Sequence, residues 1–141
     1  MQRLRQFGLA TVLLTTAVIS QAAPPITVRV GITSGSAQDI FKIVQQVGKK
    51  NGLDIKVVNF NDYQLPNAAL AAGDIDANAF QHLPFLENQV KARGFKIASA
   101  GLTVTAPLAF YSRKVKSLDA LSDGARVGIQ NDPSNGNRAL Q

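Results

Sequence analysis

The chain has 141 residues, no cysteine and one histidine, and its 15 Lys and Arg against 9 Asp and Glu give a formal charge of +6. Without cysteine, disulfides, thiolate metal sites and a thioester nucleophile are excluded. The basic residues are dispersed rather than gathered on one face among aromatics, which reads as a solvated surface, so no nucleic-acid partner is expected.

The chain opens with Met1-Gln2-Arg3-Leu4-Arg5, continues in an uncharged run from Phe7 to Ile19, and passes through Ser20-Gln21-Ala22-Ala23 to Pro24-Pro25. A basic start, a short apolar centre and small residues before a cut are the pattern of a secretory signal peptide. We expect it to cover residues 1–22, with cleavage after Ala22 or, alternatively, Ala23. The segment is short and wrongly flanked for a retained membrane span. Removing Arg3 and Arg5 lowers the formal charge from +6 to +4.

Ile26 to Ile32 alternates as a strand and runs into the loop Thr33-Ser34-Gly35-Ser36. The helix after it carries Ile40, Ile43, Val44 and Val47 at helical spacing, stops at Asn51-Gly52, and takes Ser34 or Ser36 as its cap. Leu53 to Phe60 is a second strand. Leu65 to Ala72 is a short alanine-rich helix, entered through Pro66 and closed by Gly73. Ile75 to Phe80 is a third strand, followed by a helix that uses Leu83, Leu86 and Val90, has Pro84 in its first turn and ends at Gly94. Phe95 to Val104 reads as one or two more strands, and Thr103 to Tyr111 as a long extended hinge strand. Ser117 to Leu121 is a short helix and Ala125 to Gln130 a strand. A last helix begins near Pro133, with Asp132 or Ser134 as cap.

The βαβ rhythm implies an α/β fold: a doubly wound, mostly parallel sheet with helices on both faces. In such sheets the loops after successive strands reach the same edge, where ligands bind. That draws attention to Asn59-Phe60-Asn61-Asp62-Tyr63 and Asn78-Ala79-Phe80-Gln81-His82-Leu83-Pro84-Phe85. Tyr63, Phe80 and Phe85 are candidate walls for an apolar side chain, with core packing as the alternative for the two phenylalanines. His82 is a candidate hydrogen-bonding partner of a ligand. No second histidine and no cysteine accompanies it as a metal ligand, and no serine elbow makes it a general base. Asn135 is a further candidate ligand contact, and Arg138, one turn beyond it, is placed to clamp a carboxylate together with backbone N–H groups at the helix start; a surface arginine is the alternative. Ser34 is a further candidate in a loop that lacks the Gly-Lys-Ser/Thr ending of a phosphate loop. No cofactor or metal is expected.

Taken in order, the segments Phe60-Asn61-Asp62-Tyr63 with Pro66-Asn67-Ala68-Ala69-Leu70, Asp74 to His82, and Asn131-Asp132-Pro133-Ser134-Asn135 with Arg138 resemble the NlpA/MetQ substrate-binding proteins of methionine-type ABC importers. The resemblance covers nearly everything after the leader. It implies a type II periplasmic binding-protein fold that holds methionine or a related small amino acid between two lobes, without catalysis. It implies an ABC permease and its ATPase as partners, with the membrane reached only through the permease. It makes His82 similar to a ligand contact and Arg138 similar to the family's carboxylate clamp. Gly136-Asn137 departs from the usual pattern, and Phe85 stands where tyrosine is common. Many family members are lipoproteins, but with no cysteine to lipidate this chain reads as a soluble periplasmic or secreted protein.

The expected organisation is a signal peptide at 1–22, a first α/β ligand-binding lobe at 23–107, and a hinge strand with the start of an incomplete second lobe at 108–141. The sequence reaches Gln141 about two turns into its last helix, and family members are longer. Three rivals stand beside the transport reading: a small exported hydrolase, the effector domain of a transcription regulator, and an inactive fragment of a binding protein. The hydrolase lacks a nucleophile-base pairing, and the regulator would carry a helix-turn-helix where the leader stands.

Overall fold

The computed structural model describes residues 23–141, so the expected signal peptide lies outside the described residues. Its elements are β1 (Ile26–Thr33), α1 (Ser36–Lys50), β2 (Leu53–Phe60), α2 (Leu65–Ala72), β3 (Ala77–Ala79), α3 (Leu83–Arg93), a 3-10 turn (Leu118–Ala120) and α4 (Pro133–Ala139). No described helix is long and apolar enough to cross a membrane.

The three strands form a parallel sheet in the order β2-β1-β3. The chain winds one way from β1 to β2, then crosses back over β1 to reach β3. With right-handed crossovers that reversal puts α1 and α2 on opposite faces, and the contacts agree. On the α1 face, Gln38 Nε2 donates to Asn59 Oδ1 at 3.3 Å and Gln45 Nε2 to the Ile55 carbonyl at 2.9 Å. On the other face, Asn78 Nδ2 on β3 donates to the Pro66 carbonyl of α2 at 3.2 Å.

Alternation along β1 sends Val30 and Ile32 toward α1, while Gly31 faces the other side. Ile32 is fully buried. Gly31 is needed for space: a Cβ there would lie 2.6 Å from Ile75 Cδ1 and 2.9 Å from Phe60 Cε2. Gly48 plays the same part on α1, since its Cβ would meet Ile55 Cδ1 at 2.8 Å. That close approach rotates α1 away from the expected face. Gly48 is buried and Phe41 and Val44 half-buried, while Ile40, Ile43 and Val47 are exposed.

β3 is shorter than expected, and at its N-terminal end a side chain takes one of the two bonds that a ladder would make with Arg29. The Asp76 carboxylate accepts the Arg29 backbone N–H at 2.7 Å, and Asp76 N–H donates to the Arg29 carbonyl at 2.8 Å. The Arg29 guanidinium grips the same carboxylate through Nε at 3.1 Å and Nη2 at 2.8 Å. It also donates to the Asp74 and Gly73 carbonyls just past α2. These hydrogen bonds and the arginine charge hold the Asp76 carboxyl down to about 2 from its usual 3.8. The unfolded chain therefore takes up this proton first, so the pair's contribution is complete above about 3.8 and fades as the pH falls toward 2. Both side chains are more than two-fifths exposed, so water and salt screen the pair. The expected result for Asp76→Asn is a thermal midpoint that depends less on pH between about 4 and 2 than that of the parent, read by circular dichroism.

Gly73 and Gly94 end α2 and α3 at φ of 81° and 68°, the left-handed conformation that suits glycine at a helix stop. Beyond Gly94 the expected strands are not found, while the expected helices are. Among the described residues, Phe95 to Val104, the hinge segment Thr103 to Tyr111, and Ala125 to Gln130 form no strands. A strand exists only where a neighbour takes up its N–H and C=O groups, and β1 pairs only with β2 and β3. Leu102 is 98% exposed and Tyr111 91% exposed, so these apolar residues lie outside any core. The short helix expected from Ser117 is the 3-10 turn, and α4 begins where expected, with Asp132 as its cap.

Candidate functional site

The loops after β1, β2 and β3 converge at the C-terminal edge of the sheet, where the strand order reverses. They line an open cavity of about 350 Å³, within the range of roughly 300 to 1,000 Å³ for small-molecule sites. Thr33 and Ser34 come from the first loop, Phe60 to Tyr63 from the second, and Phe80 to His82 from the third. Phe85 of α3, Gln130 and Asn135 of α4 complete its lining.

The aromatic wall is organised around Phe85, which is only 3% exposed. The Tyr63 and Phe80 rings meet it edge-on, at centroid separations of 5.7 and 6.0 Å. The His82 ring stacks on it at 6.4 Å. Edge-to-face and offset contacts are the favoured aromatic geometries, worth about 0.5 to 1.5 kcal/mol per pair. Phe85 thus serves both readings given for it: it lines the cavity, and it is the packed support beneath the three more exposed rings. His82 is the N-cap residue of α3 through its main chain, its carbonyl accepting Phe85 N–H at 3.1 Å and Leu86 N–H at 3.2 Å. Its imidazole makes no hydrogen bond among the described residues.

The polar part of the wall is built by the turns themselves. Asp62 Oδ1 accepts the Gln64 and Leu65 backbone N–H groups at 2.7 and 3.0 Å, starting α2. Ser34 Oγ donates to Asn61 Oδ1 at 3.3 Å, tying the first loop to the second. Neither Ser34 nor Ser36 caps α1: Gly35 is the N-cap, and its N–H donates to Gln38 Oε1 at 3.3 Å.

The start of α4 differs from the expected carboxylate cradle. Asp132 Oδ1 already accepts the Ser134 and Asn135 backbone N–H groups, at 3.1 and 2.9 Å, and Asn135 Nδ2 donates to Asp132 Oδ2 at 3.0 Å. Burial of this carboxyl disfavours its charge, but the hydrogen bonds from Ser134 and Asn135 outweigh it and leave the pKa lowered. The freed donors of the helix start are thus occupied by an internal anion. Arg138 does not line the aromatic cavity. It lies on an adjoining depression with Asn88, Pro133, Ser134 and Asn137, and His82 borders both hollows.

Six of the seven candidate residues therefore share one cavity: Ser34, Tyr63, Phe80, His82, Phe85 and Asn135. Sequence reasoning passed over Thr33, Phe60, Asn61, Asp62, Gln81 and Gln130. Phe60 to Asp62 sit in the segment already singled out and were legible as post-strand loop. Gln81 likewise sits in the segment from Asn78 to Phe85 and Thr33 in the loop after the first strand, whereas Gln130, at the end of an expected strand, carried no signal of its own.

Residues 28–141 match the family model described as NlpA lipoprotein. The chain belongs to the NlpA lipoprotein family. Over 117 residues, 82% of this chain, it is 51% identical to the D-methionine-binding lipoprotein MetQ of Escherichia coli strain K12, of which it spans 43%. It is 52% identical over the same share to the corresponding protein of Salmonella typhi. Among solved structures, a nutrient-binding protein from Burkholderia cenocepacia bound to methionine superposes with a TM-score of 0.77 at 54% identity, covering 80% of this chain and 47% of the other. A crystal structure of the methionine-binding protein MetQ gives a TM-score of 0.79 at 50% identity, covering 81% and 47%. The α/β fold is thus that of the NlpA family's binding proteins, and the chain spans about half the length of the relatives it matches.

Proposed function

We propose that the chain is the ligand-capturing part of an extracytoplasmic substrate-binding protein of an ABC importer, and that its cavity takes methionine or a closely related amino acid. The observation that carries this reading is the cavity itself, aromatic on one side, amide-lined on the other, and set where the strand order reverses. Tyr63 and Phe80 hold the ligand's tail. A thioether against aromatic rings gains about 0.3 to 1.5 kcal/mol per contact. His82 and Asn135 hydrogen-bond its polar end, and Arg138, bordering the same His82, binds its carboxylate when α4 moves inward.

In this reading residues 23–107 form the first lobe and 108–141 begin the second. Closure follows from the ligand touching both at once, because a ligand shifts a conformational equilibrium only by its difference in affinity for the two states. No bond is made or broken, and neither cofactor nor metal takes part. The closed form docks on the permease, whose ATPase drives transport. The sequence holds no cysteine for a lipid to be joined to, so delivery rests on export through residues 1–22.

Titration of the protein with a panel of amino acids, followed by calorimetry and by amide resonances, tests this. Methionine should bind, norleucine should bind up to about tenfold more weakly for want of the sulfur contacts, and His82→Ala should weaken binding without creating or abolishing turnover of any ester or amide. No binding by any member of the panel would overturn the assignment.

A further inference from the structure

Asn67, on α2, is 0% exposed although its side chain is an amide. Its Nδ2 donates to Gln81 Oε1 at 2.7 Å, and its Oδ1 accepts Gln81 Nε2 at 2.7 Å and Asn78 Nδ2 at 2.9 Å. The second N–H of Gln81 goes to Asn78 Oδ1 at 3.2 Å, and the second of Asn78 to the Pro66 carbonyl. No buried side-chain polar atom among the described residues is left without a partner. The three amides form a closed set that joins the start of α2 to the end of β3.

Gln81 lines the cavity, yet its side-chain NH2 is committed inward to Asn67 and Asn78, so the amide group is spent on the cluster. Its neighbours in sequence, Phe80 and His82, supply two of the three rings that meet Phe85. We infer that Asn67, Asn78 and Gln81 are positioning residues: their amide cluster fixes the turn Phe80-Gln81-His82 and so sets where the two ligand-facing rings stand. A buried amide set of this kind has one satisfied arrangement, since any partner removed leaves a desolvated donor or acceptor. The inference rests on the reading of the cavity as an amino-acid site for its functional meaning, and on the geometry alone for the positioning.

The test uses the full chain labelled with nitrogen-15. In the unliganded protein the side-chain NH2 resonances of Asn78 and Gln81 should exchange with solvent at least about tenfold more slowly than that of exposed Gln46. Asn67→Asp keeps the shape but sets a carboxylate oxygen against Gln81 Oε1. It should abolish the nuclear Overhauser contacts of the Phe80 and His82 rings with Phe85, leave the β1–β2 amide resonances in place, and weaken methionine binding by about tenfold. Gln81→Leu, which removes both donors while keeping bulk, should do the same and serves if the first variant does not fold. The positioning role is overturned if the two NH2 groups exchange as fast as Gln46, or if a folded variant keeps the ring contacts. Absence of methionine binding by the parent protein alongside intact ring contacts would instead count against the proposed ligand, leaving the positioning measured by exchange and ring contacts.

Discussion

Phe85→Ala should lower unfolding stability by about 3 to 5 kcal/mol, the cost of deleting a buried aromatic side chain and leaving its space unfilled. The ring is almost fully enclosed, and three other rings rest on it. Their loss also removes aromatic pair contacts of about 0.5 to 1.5 kcal/mol each. Because Tyr63 and Phe80 come from the loops after β2 and β3, removing the ring they share frees two walls of the cavity at once. Methionine binding by the folded fraction should therefore fall by more than it does in Tyr63→Ala or Phe80→Ala. Urea titration followed by fluorescence and circular dichroism measures the first effect, and calorimetry at a temperature where the variant is folded measures the second. A loss of stability under about 1 kcal/mol would mean that the ring is not a core residue.

How much of this was legible beforehand depends on what kind of signal each element carries. The boundaries of α2 and α3 were written in proline and glycine: Pro66 and Pro84 in the first turns, Gly73 and Gly94 just past the ends. These residues act through their own backbone conformations, so a local reading suffices. The face that α1 presents was misread for the opposite reason. Counting apolar residues selected Ile40, Ile43, Val44 and Val47, of which only Val44 is half-buried, whereas the packing was decided by a residue with no side chain, Gly48, which lets Ile55 approach. Smallness is a tertiary signal. The start of β3 is tertiary in the same way: the Asp76 carboxylate takes over a backbone donor on β1, 47 residues away in sequence.

The candidate site divides along the same line. Loops after strands could be located because a parallel sheet sends them to one edge, and six of the candidate residues meet there. The pairing of donors within those loops could not be. Asp132 reads as a helix cap, but nothing local says that its carboxylate will consume the same N–H groups a ligand carboxylate would use. Asn67, which drew no separate notice within the alanine-rich helix, is the most enclosed polar side chain described. The expected strands beyond Gly94 are absent because a run of residues suited to extended backbone becomes a strand only where a partner takes up its N–H and C=O groups.

Ile32→Ala should destabilise the fold by about 2 to 5 kcal/mol, and should do so through the centre of the sheet. Ile32 is 0% exposed on the middle strand, paired in register with Asn59 of β2 on one side and Ala79 of β3 on the other. Its side chain lies on the face that α1 covers, beneath a helix held close by Gly48. That close approach leaves little room for the walls to relax, and a cavity that does not collapse keeps its full cost. Ile32→Val, which removes one methylene, should cost only about 0.5 to 1.5 kcal/mol. The two variants together separate burial from strand preference, because valine keeps the β-branched shape and alanine does not. The residue also stands directly before Thr33 and Ser34, and beside it Asn59 and Ala79 lead into the second and third loops of the cavity. Slackening this one position should thus loosen the cavity from beneath, with methionine affinity falling further in the alanine variant than in the valine variant at a temperature where both are folded. Equal stability of the two variants in urea titration would show that the space around Ile32 closes over when the side chain is shortened, and with it the rigid central strand on which the site is built would be lost as an explanation.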